Sequence, residues 1–341
     1  MYERIMSTLE QVSTYTTASG IVIYKFPVWA FENHVTNCYL VLADALTLID
    51  CSSAIGDANG SLERCFARAR SEFGLNATLA DVDRLILTHG HIDHFGGANH
   101  VLEASGAQIA IHALDVSTVQ NFEERTTVAA KDLQIFLERS GMKDGHVAKM
   151  LEMNRWSKGI FQPVHVDSVL EEGPMPDSPF HVYHAPGHCP GQVCLLLDDI
   201  LFTADHVLDR ITPHQSPESI TRNMGIGHYF DALKKIRDLQ GVRIGLGGHL
   251  GDIPDVGQRI DDTVAFHHRR LEKTLAICRE PKTLADVSRE LFGPRESYHI
   301  LLAILEAGAH VEYLYDRGQL EVVNHEAIEY AANPVLQYCA V

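Results

Sequence analysis

Apolar and β-branched residues open the chain in short runs. Segments 20–28 (GIVIYKFPV), 36–42 (TNCYLVL) and 45–50 (ALTLID) each read as a strand, with Ala43-Asp44 turning between the last two. The period then changes. Leu62, Cys65, Phe66 and Ala69 recur at helical spacing, which predicts a helix over 61–73. A short buried strand at 83–88 (DRLILT), a helix over 97–105 and a strand at 108–112 (QIAIH) make a βαβ-like unit. The polar cluster 89–94 sits directly after the first of these strands. From 116 to 161 the chain reads as an irregular helical insertion, placed to cover a site as a lid, shape its mouth, or simply pack. Strands return at 180–184 (FHVYH), 193–197 (VCLLL) and 200–203 (ILFT), with Asp198-Asp199 as the turn between the last two. A helix over 217–239, a strand at 243–246 and the turn Gly247-Gly248-His249-Leu250-Gly251 follow.

The remainder has a different order. A long helix over 254–279 leads to Pro281, and the break falls at 279–282. Thr283 is placed to cap a helix over 283–292. Another helix covers 296–315, and Arg317-Gly318-Gln319 turns into a strand at 320–323. Helix, helix, then a small hairpin is the order of a winged helix. The expected division is 1–253 as a catalytic domain and 254–341 as a long helix plus a winged-helix-like segment. No fixed-period repeat or low-complexity stretch is present.

Composition narrows the class. The 341 residues are 45% hydrophobic and 21% charged, as in a globular protein of about two domains. No apolar run reaches the roughly 18 residues of a membrane span. Residues 1–17 are polar and lack the basic-then-apolar order of a secretory leader. The net charge of -17 argues against a nucleic-acid partner, which needs a basic footprint. Seven widely spaced cysteines without a C-x-x-C read as reduced thiols, which implies a cytoplasmic protein. Histidine is abundant, at 20, so its clustering matters.

The cluster is Thr88-His89-Gly90-His91-Ile92-Asp93-His94. Three imidazoles and a carboxylate this close are costly to bury unless a cation holds them. His89 and His91 share one face of an extended chain, while Asp93 and His94 turn toward a second point. That arrangement suits two adjacent cations, for which the run alone supplies too few ligands. His188, Asp205 and His249 each follow a predicted strand, where sheets of this kind keep their sites.

The segments THGHIDHFGG, HAPGHCPGQ, LFTADHVL and GGH, in this order, resemble the metallo-β-lactamase superfamily over about 21–250. The resemblance implies an α/β fold, an αββα sandwich with two divalent metal ions at one edge. Zinc fits a His/Asp set, and iron and manganese fit too. Carried over by position, His89, His91 and His188 hold one ion, Asp93, His94 and His249 the other, and Asp205 bridges. Asp50 matches a family aspartate expected to orient a ligand imidazole from behind. A water between ions about 3.5–4 Å apart then yields a hydroxide near neutral pH, which attacks an acyl carbonyl. Asp93 and Asp205 are thus the catalytic carboxylates, Asp93 also as a proton carrier.

Departures from subfamilies narrow the substrate. Asp205 stands where many β-lactamases have cysteine or serine, His91 where flavodiiron relatives have glutamate, and Leu208 where many lactonases have tyrosine. The tail from 266 to 323 (FHHRRLEKTL onward) resembles that of relatives grouped with acyl thioesterases and glyoxalase-like hydrolases. A small-molecule acyl substrate, a thioester of acyl-CoA type, is the first expectation. Lactones and other esters, phosphodiesters or RNA, and a metal-retaining regulatory protein without turnover are the alternatives. His34, His206, Arg210, His214, Arg222, His228 and Tyr229 are candidate pocket residues, each against a plain packing or surface role. His184 is expected to hold the loop bearing His188. His267-His268, beside Arg269 and Arg270, reads as a solvated face. The helix over 296–315 lacks Arg and Lys. This favours packing, pocket shaping or a homodimer contact over DNA reading.

Overall fold

The computed structural model describes residues 9–143, 145, 147–149, 151–152 and 161–341. The start of the N-terminal segment and residues 153–160 of the insertion lie outside that set. The packing divides the chain into two units. One comprises 1–120, 162–213 and 232–260, the other 121–161, 214–231 and 261–341.

The first unit holds two sheets. The first runs in chain order: β1 (Ser13–Thr16), β2 (Val22–Phe31), β3 (His34–Leu42), β4 (Leu46–Ile49), β5 (Arg84–Ile86), β6 (Gln108–His112) and β7 (Ser168–Leu170). Pairing is antiparallel as far as β4 and parallel from β4 to β7. The second comprises β8 (Gly173–Pro174), β9 (His181–His184), β10 (Val193–Leu197), β11 (Ile200–Ala204), β12 (Ile244–Gly247) and β13 (Asp252–Ile253), in reverse order across the sheet. Alternation along each strand divides the side chains. Tyr39, Val41, Ile49 and Ile86 of one sheet meet Val193, Leu195, Leu197, Phe202 and Leu246 of the other in one buried core.

Helices cover the outer faces. Helix α1 (Ala58–Phe73) buries Leu62, Cys65, Phe66 and Ala69. Phe66 lies 5.0 Å from the Phe26 ring of β2. On the other side Lys235 donates from Nζ to the His184 carbonyl of β9 at 2.8 Å. Short helices α2 (Ile92–Phe95), α3 (Ala98–Ser105) and α4 (Ala113–Gln120) fill the crossovers around β5 and β6. The result is the expected αββα order.

In the second unit lie α5 (Phe122–Arg139), the first turns of α6 (Ile226–Arg237), most of α7 (Val256–Ile277), α8 (Leu284–Phe292), α9 (Tyr298–Asp316) and α10 (His325–Tyr330). Three strands, β14 (Lys282–Thr283), β15 (Leu320–Val322) and β16 (Gln337–Ala340), pair in the order β14-β16-β15. Its core is made by Leu137, Leu271, Cys278, Val287, Ile304, Val311 and Leu314. Thr283 does cap α8, accepting from the Asp286 amide at 3.2 Å.

Three expectations change. Helix α6 begins only at Ile226, because Asn223 and Gly225 adopt positive φ, of 65° and 96°, and break the run from 217. The strand after Gly318 does not return in a tight hairpin; its partner β16 comes after α10. His267 is fully buried instead of solvated. It lies on the stripe Ile260, Thr263, Leu271, Thr274 and Cys278, all buried at helical spacing.

Candidate metal centre

The ligand-type residues reach one edge of the first unit from separate strand ends. His89 and His91 follow β5, Asp93 and His94 lie on α2, His188 follows β9, Asp205 follows β11, and His249 follows β12. His91 is partly buried and the others are buried.

Their spacing defines three neighbouring groups, one of them His34, Asp93 and His249, around one carboxylate. The ligand atoms of His89, His91 and His188 lie within 4.8 Å of one another, as do those of His89, His94 and Asp205. His89 Nε2 is 3.1 Å from His91 Nδ1. On the other side His249 Nε2 is 3.3 Å from Asp93 Oδ2, and His94 Nε2 is 3.6 Å from the same oxygen. Asp205 faces both groups: its Oδ2 is 3.5 Å from His188 Nε2 and 3.2 Å from His249 Nε2, and its Oδ1 is 3.5 Å from His94 Nε2.

Polar groups behind the ligands orient them. His94 Nδ1 donates to Asp50 Oδ2 at 2.7 Å, and Asp50 in turn accepts from the Thr88 amide and hydroxyl, each at 2.8 Å. His249 Nδ1 donates to the Val35 carbonyl at 2.8 Å. His184 holds the other loop, with Nε2 donating to the Pro190 carbonyl at 2.8 Å. Asp50, Ala204 and Leu250 all take positive φ, at 59°, 44° and 63°. Such backbone strain in non-glycine residues concentrates at sites that the surrounding fold must hold in place.

The residues fit cations on internal grounds. His94 Nε2 and Asp205 Oδ1 are buried and make no hydrogen bond, although each faces the other. Buried polar atoms normally find partners, and a cation between these two would be one. The space is also kept clear. A Cβ on Gly248 would lie 2.3 Å from Asp205 Oδ1 and 2.8 Å from His94 Cε1. Gly248→Ala is therefore expected to displace Asp205 and to weaken zinc retention during dialysis against a chelator. Unchanged retention would contradict this.

Charge follows the same division. Burial holds His89 well below the ordinary imidazole range, with His94 and His91 adding repulsion, and burial pushes His91 down to about 3. For His94, burial opposes the charged form, but Asp205, Asp50 and Asp93 hold it well above that range. For His249, burial is likewise outweighed by Asp205 and Asp93, which bring it up to about 10. Burial would raise Asp93 and Asp205; His94 and His249 more than offset it and keep both well below the carboxylate range. Without cations, protonated His94 and His249 thus supply the countercharge at neutral pH. Metal uptake must displace those protons. Zinc affinity is expected to rise with pH, and calorimetric titration in buffers of different ionisation heat should show proton release. Heats independent of buffer would refute it.

Of the remaining candidates, His34 joins the site. His34 Nε2 donates to Asp93 Oδ2 at 2.8 Å, and its ring stacks on Phe31 with centroids 4.5 Å apart. Its side chain is 35% exposed, so it borders the site. His206 is fully buried, and Arg210 is exposed and paired with Asp209 at 2.9 Å. His214, Arg222, His228 and Tyr229 belong to the second unit. There Tyr229 is fully buried, Arg222 is exposed, and His228 bonds Glu218 at 2.9 Å.

A further ligand-type group, His267, Glu306 and His310, lies within 4.8 Å in the second unit. Here the carboxylate is already taken: Arg270 Nη1 binds Oε1, and the Gln215 amide binds Oε2 at 2.7 Å. His310 donates from Nδ1 to the Glu306 carbonyl at 2.7 Å, so its Nε2 accepts from His267 Nδ1 at 3.1 Å. The two imidazoles thus bond each other beside the Glu306–Arg270 ion pair, while His267 Nε2 is buried and makes no hydrogen bond.

Sequence reasoning missed Asp115. Fully buried on α4, it accepts hydrogen bonds from the loops on both sides of the first group. No local pattern marks it, since the partners lie 25 and 76 residues away.

The family model for the metallo-β-lactamase superfamily matches residues 32–269. A probable metallo-hydrolase of Bacillus subtilis is 31% identical over 144 residues, 41% of this chain and 49% of that protein, so the match spans about half of its length. A hydroxyacylglutathione hydrolase of Haemophilus influenzae is 26% identical over 184 residues, 52% of this chain and 68% of that protein. Among solved structures, a metallo-β-lactamase family protein of Thermus thermophilus superposes with a TM-score of 0.75 at 25% identity. It covers 94% of this chain and 98% of that one.

Proposed function

The chain belongs to the metallo-β-lactamase superfamily, and on that footing we propose that it hydrolyses thioesters of small acyl substrates with a pair of divalent cations, zinc first. The observation that carries the reading is the double contact of Asp205, one carboxylate within 3.5 Å of His188 in the first group and of both His249 and His94 in the second. His89, His91 and His188 would hold one cation and Asp93, His94 and His249 the other, with Asp205 between. Cations held there supply Lewis acidity and lower the pKa of bound water toward neutrality.

The chain's own groups do the rest. Asp50 and the Val35 carbonyl fix the rings of His94 and His249, so ligand geometry needs no rearrangement during turnover. Asp93, joined to the partly exposed His34, forms a path by which a proton leaves the attacking water and reaches the departing thiolate. The thioester preference is supported by the Haemophilus influenzae relative, whose name specifies a hydroxyacylglutathione, itself a thioester. Seven free thiols fit the reducing cytoplasm. Among the described residues no helix is long and apolar enough to cross a membrane.

The test is a substrate panel with zinc-loaded protein: acyl-CoA and acylglutathione thioesters, lactones, and bis-p-nitrophenyl phosphate. The highest kcat/KM is expected for a thioester. Turnover confined to the phosphodiester would move the assignment to a nuclease type. No turnover of any of them would leave a metal-binding protein that is not an enzyme of this kind.

A further inference from the structure

The second group of ligands is oriented by hydrogen bonds made directly to its imidazole rings. His94 leans on Asp50 and His249 on the Val35 carbonyl. For the first group the structure shows a different device, which acts through the backbone. His89 and His91 flank Gly90, and His188 immediately precedes Cys189. These stretches belong to loops more than 90 residues apart in the chain. Both are tied to one side chain, Asp115.

The carboxylate of Asp115 is 1% exposed and receives three donors. Its Oδ2 accepts from the Gly90 amide at 2.8 Å and from Cys189 Sγ at 3.2 Å. Its Oδ1 accepts from the Gly191 amide at 3.1 Å. A buried carboxylate needs such donors, and amide bonds to a charged acceptor are stronger than neutral ones. The two glycines make the approach possible. A Cβ on Gly191 would lie 2.6 Å from Asp115 Cγ, and one on Gly90 would lie 3.2 Å from it. The glycine in His-Gly-His and the second glycine of Pro-Gly-His-Cys-Pro-Gly thus serve the same contact.

We propose that Asp115 is a positioning residue that fixes the distance of His188 from His89 and His91, and so sets the cation affinity of that group. This rests on the dinuclear hydrolase reading. The hydrogen bonds of the Asp115 carboxylate come from two backbone amides and the Cys189 thiol, not from an imidazole. It holds the two loops in register, and that register determines whether three nitrogens converge on one point.

Stepwise cobalt titration of metal-free protein, followed by visible absorption and by competition with a chelator, tests this. His91→Ala identifies which binding step belongs to the first group. Asp115→Asn keeps the volume but, in either orientation of the amide, turns an N–H toward at least one of the three donors. It should weaken that step about 10–100-fold, the usual effect of losing a partner behind a metal ligand, and leave the other step unchanged. Cys189→Ala, which removes one donor with little change of shape, should move the same step in the same direction by less. Cys189→Ser, which restores a donor, should recover it. A purely structural role would lower thermal stability and leave both steps where they were, and that result overturns the assignment. So would equal weakening of both steps. Wild-type protein that takes up no cobalt would overturn the assignment together with the hydrolase reading; variants that titrate like wild type overturn the assignment alone.

Discussion

Asp205→Ala is expected to lower kcat/KM by on the order of 10³-fold or more, the scale on which loss of one preorganised electrostatic partner is felt. Two consequences of one position add here. The carboxylate faces His188 on one side and His249 and His94 on the other, so its loss opens both groups. It also removes the negative charge that holds His94 and His249 protonated without cations. Metal content should fall along with activity, while the far-ultraviolet circular dichroism stays that of wild type. His91→Ala should be nearly as damaging to turnover, through the first group alone. Retention of activity within tenfold in the Asp205 variant would show that catalysis does not run through this carboxylate.

The second large effect concerns stability. Glu306→Ala leaves the partly buried Arg270 without its partner, and breaking a buried ion pair from one side costs about 3–5 kcal/mol. Glu306 also receives the Gln215 amide at 2.7 Å, so the loss includes an unsatisfied backbone donor. Urea unfolding followed by circular dichroism should show the drop. The double variant Glu306→Ala with Arg270→Ala should cost much less than the sum of the singles, because neither charge is then stranded. A single-variant loss below about 1 kcal/mol would place the pair with ordinary surface salt bridges.

The pH dependence has a fixed sign. Burial would raise the Glu306 carboxyl, but His214, His310 and Arg270 hold it well below its ordinary value. A group depressed in the folded state contributes stability above its unfolded pKa, near 4.3, and loses it as pH falls below. Wild type should therefore lose stability from about pH 4 downward more steeply than Glu306→Gln.

What the sequence discloses divides along a physical line. His89, His91, Asp93 and His94 are legible because four ligand-type groups fall within six residues after an apolar strand. His188, Asp205 and His249 are legible because each follows an apolar strand; β9 and β11 are both antiparallel to β10, and β12 is parallel to β11, so the three ends reach one edge. Strands 193–197 and 108–112 match in full, since each is a short apolar run bounded by polar or turn residues. The start of α6 is not legible, because positive φ at Asn223 is decided by tertiary packing. Nor is the burial of Glu306 and His310, where each polar residue has a partner supplied from another element. His267 was within reach: its neighbours at Leu271, Thr274 and Cys278 continue a buried stripe, and the adjacent Arg269 and Arg270 mask it. Asp115 was not, for all its known partners are distant in sequence.

Anomalous diffraction from crystals grown with zinc tests the central claim most directly. The account predicts two peaks on opposite sides of the Asp205 carboxylate, one among His89, His91 and His188 and the other among Asp93, His94 and His249. A single peak elsewhere, or zinc-saturated crystals with no density at this edge, would contradict it.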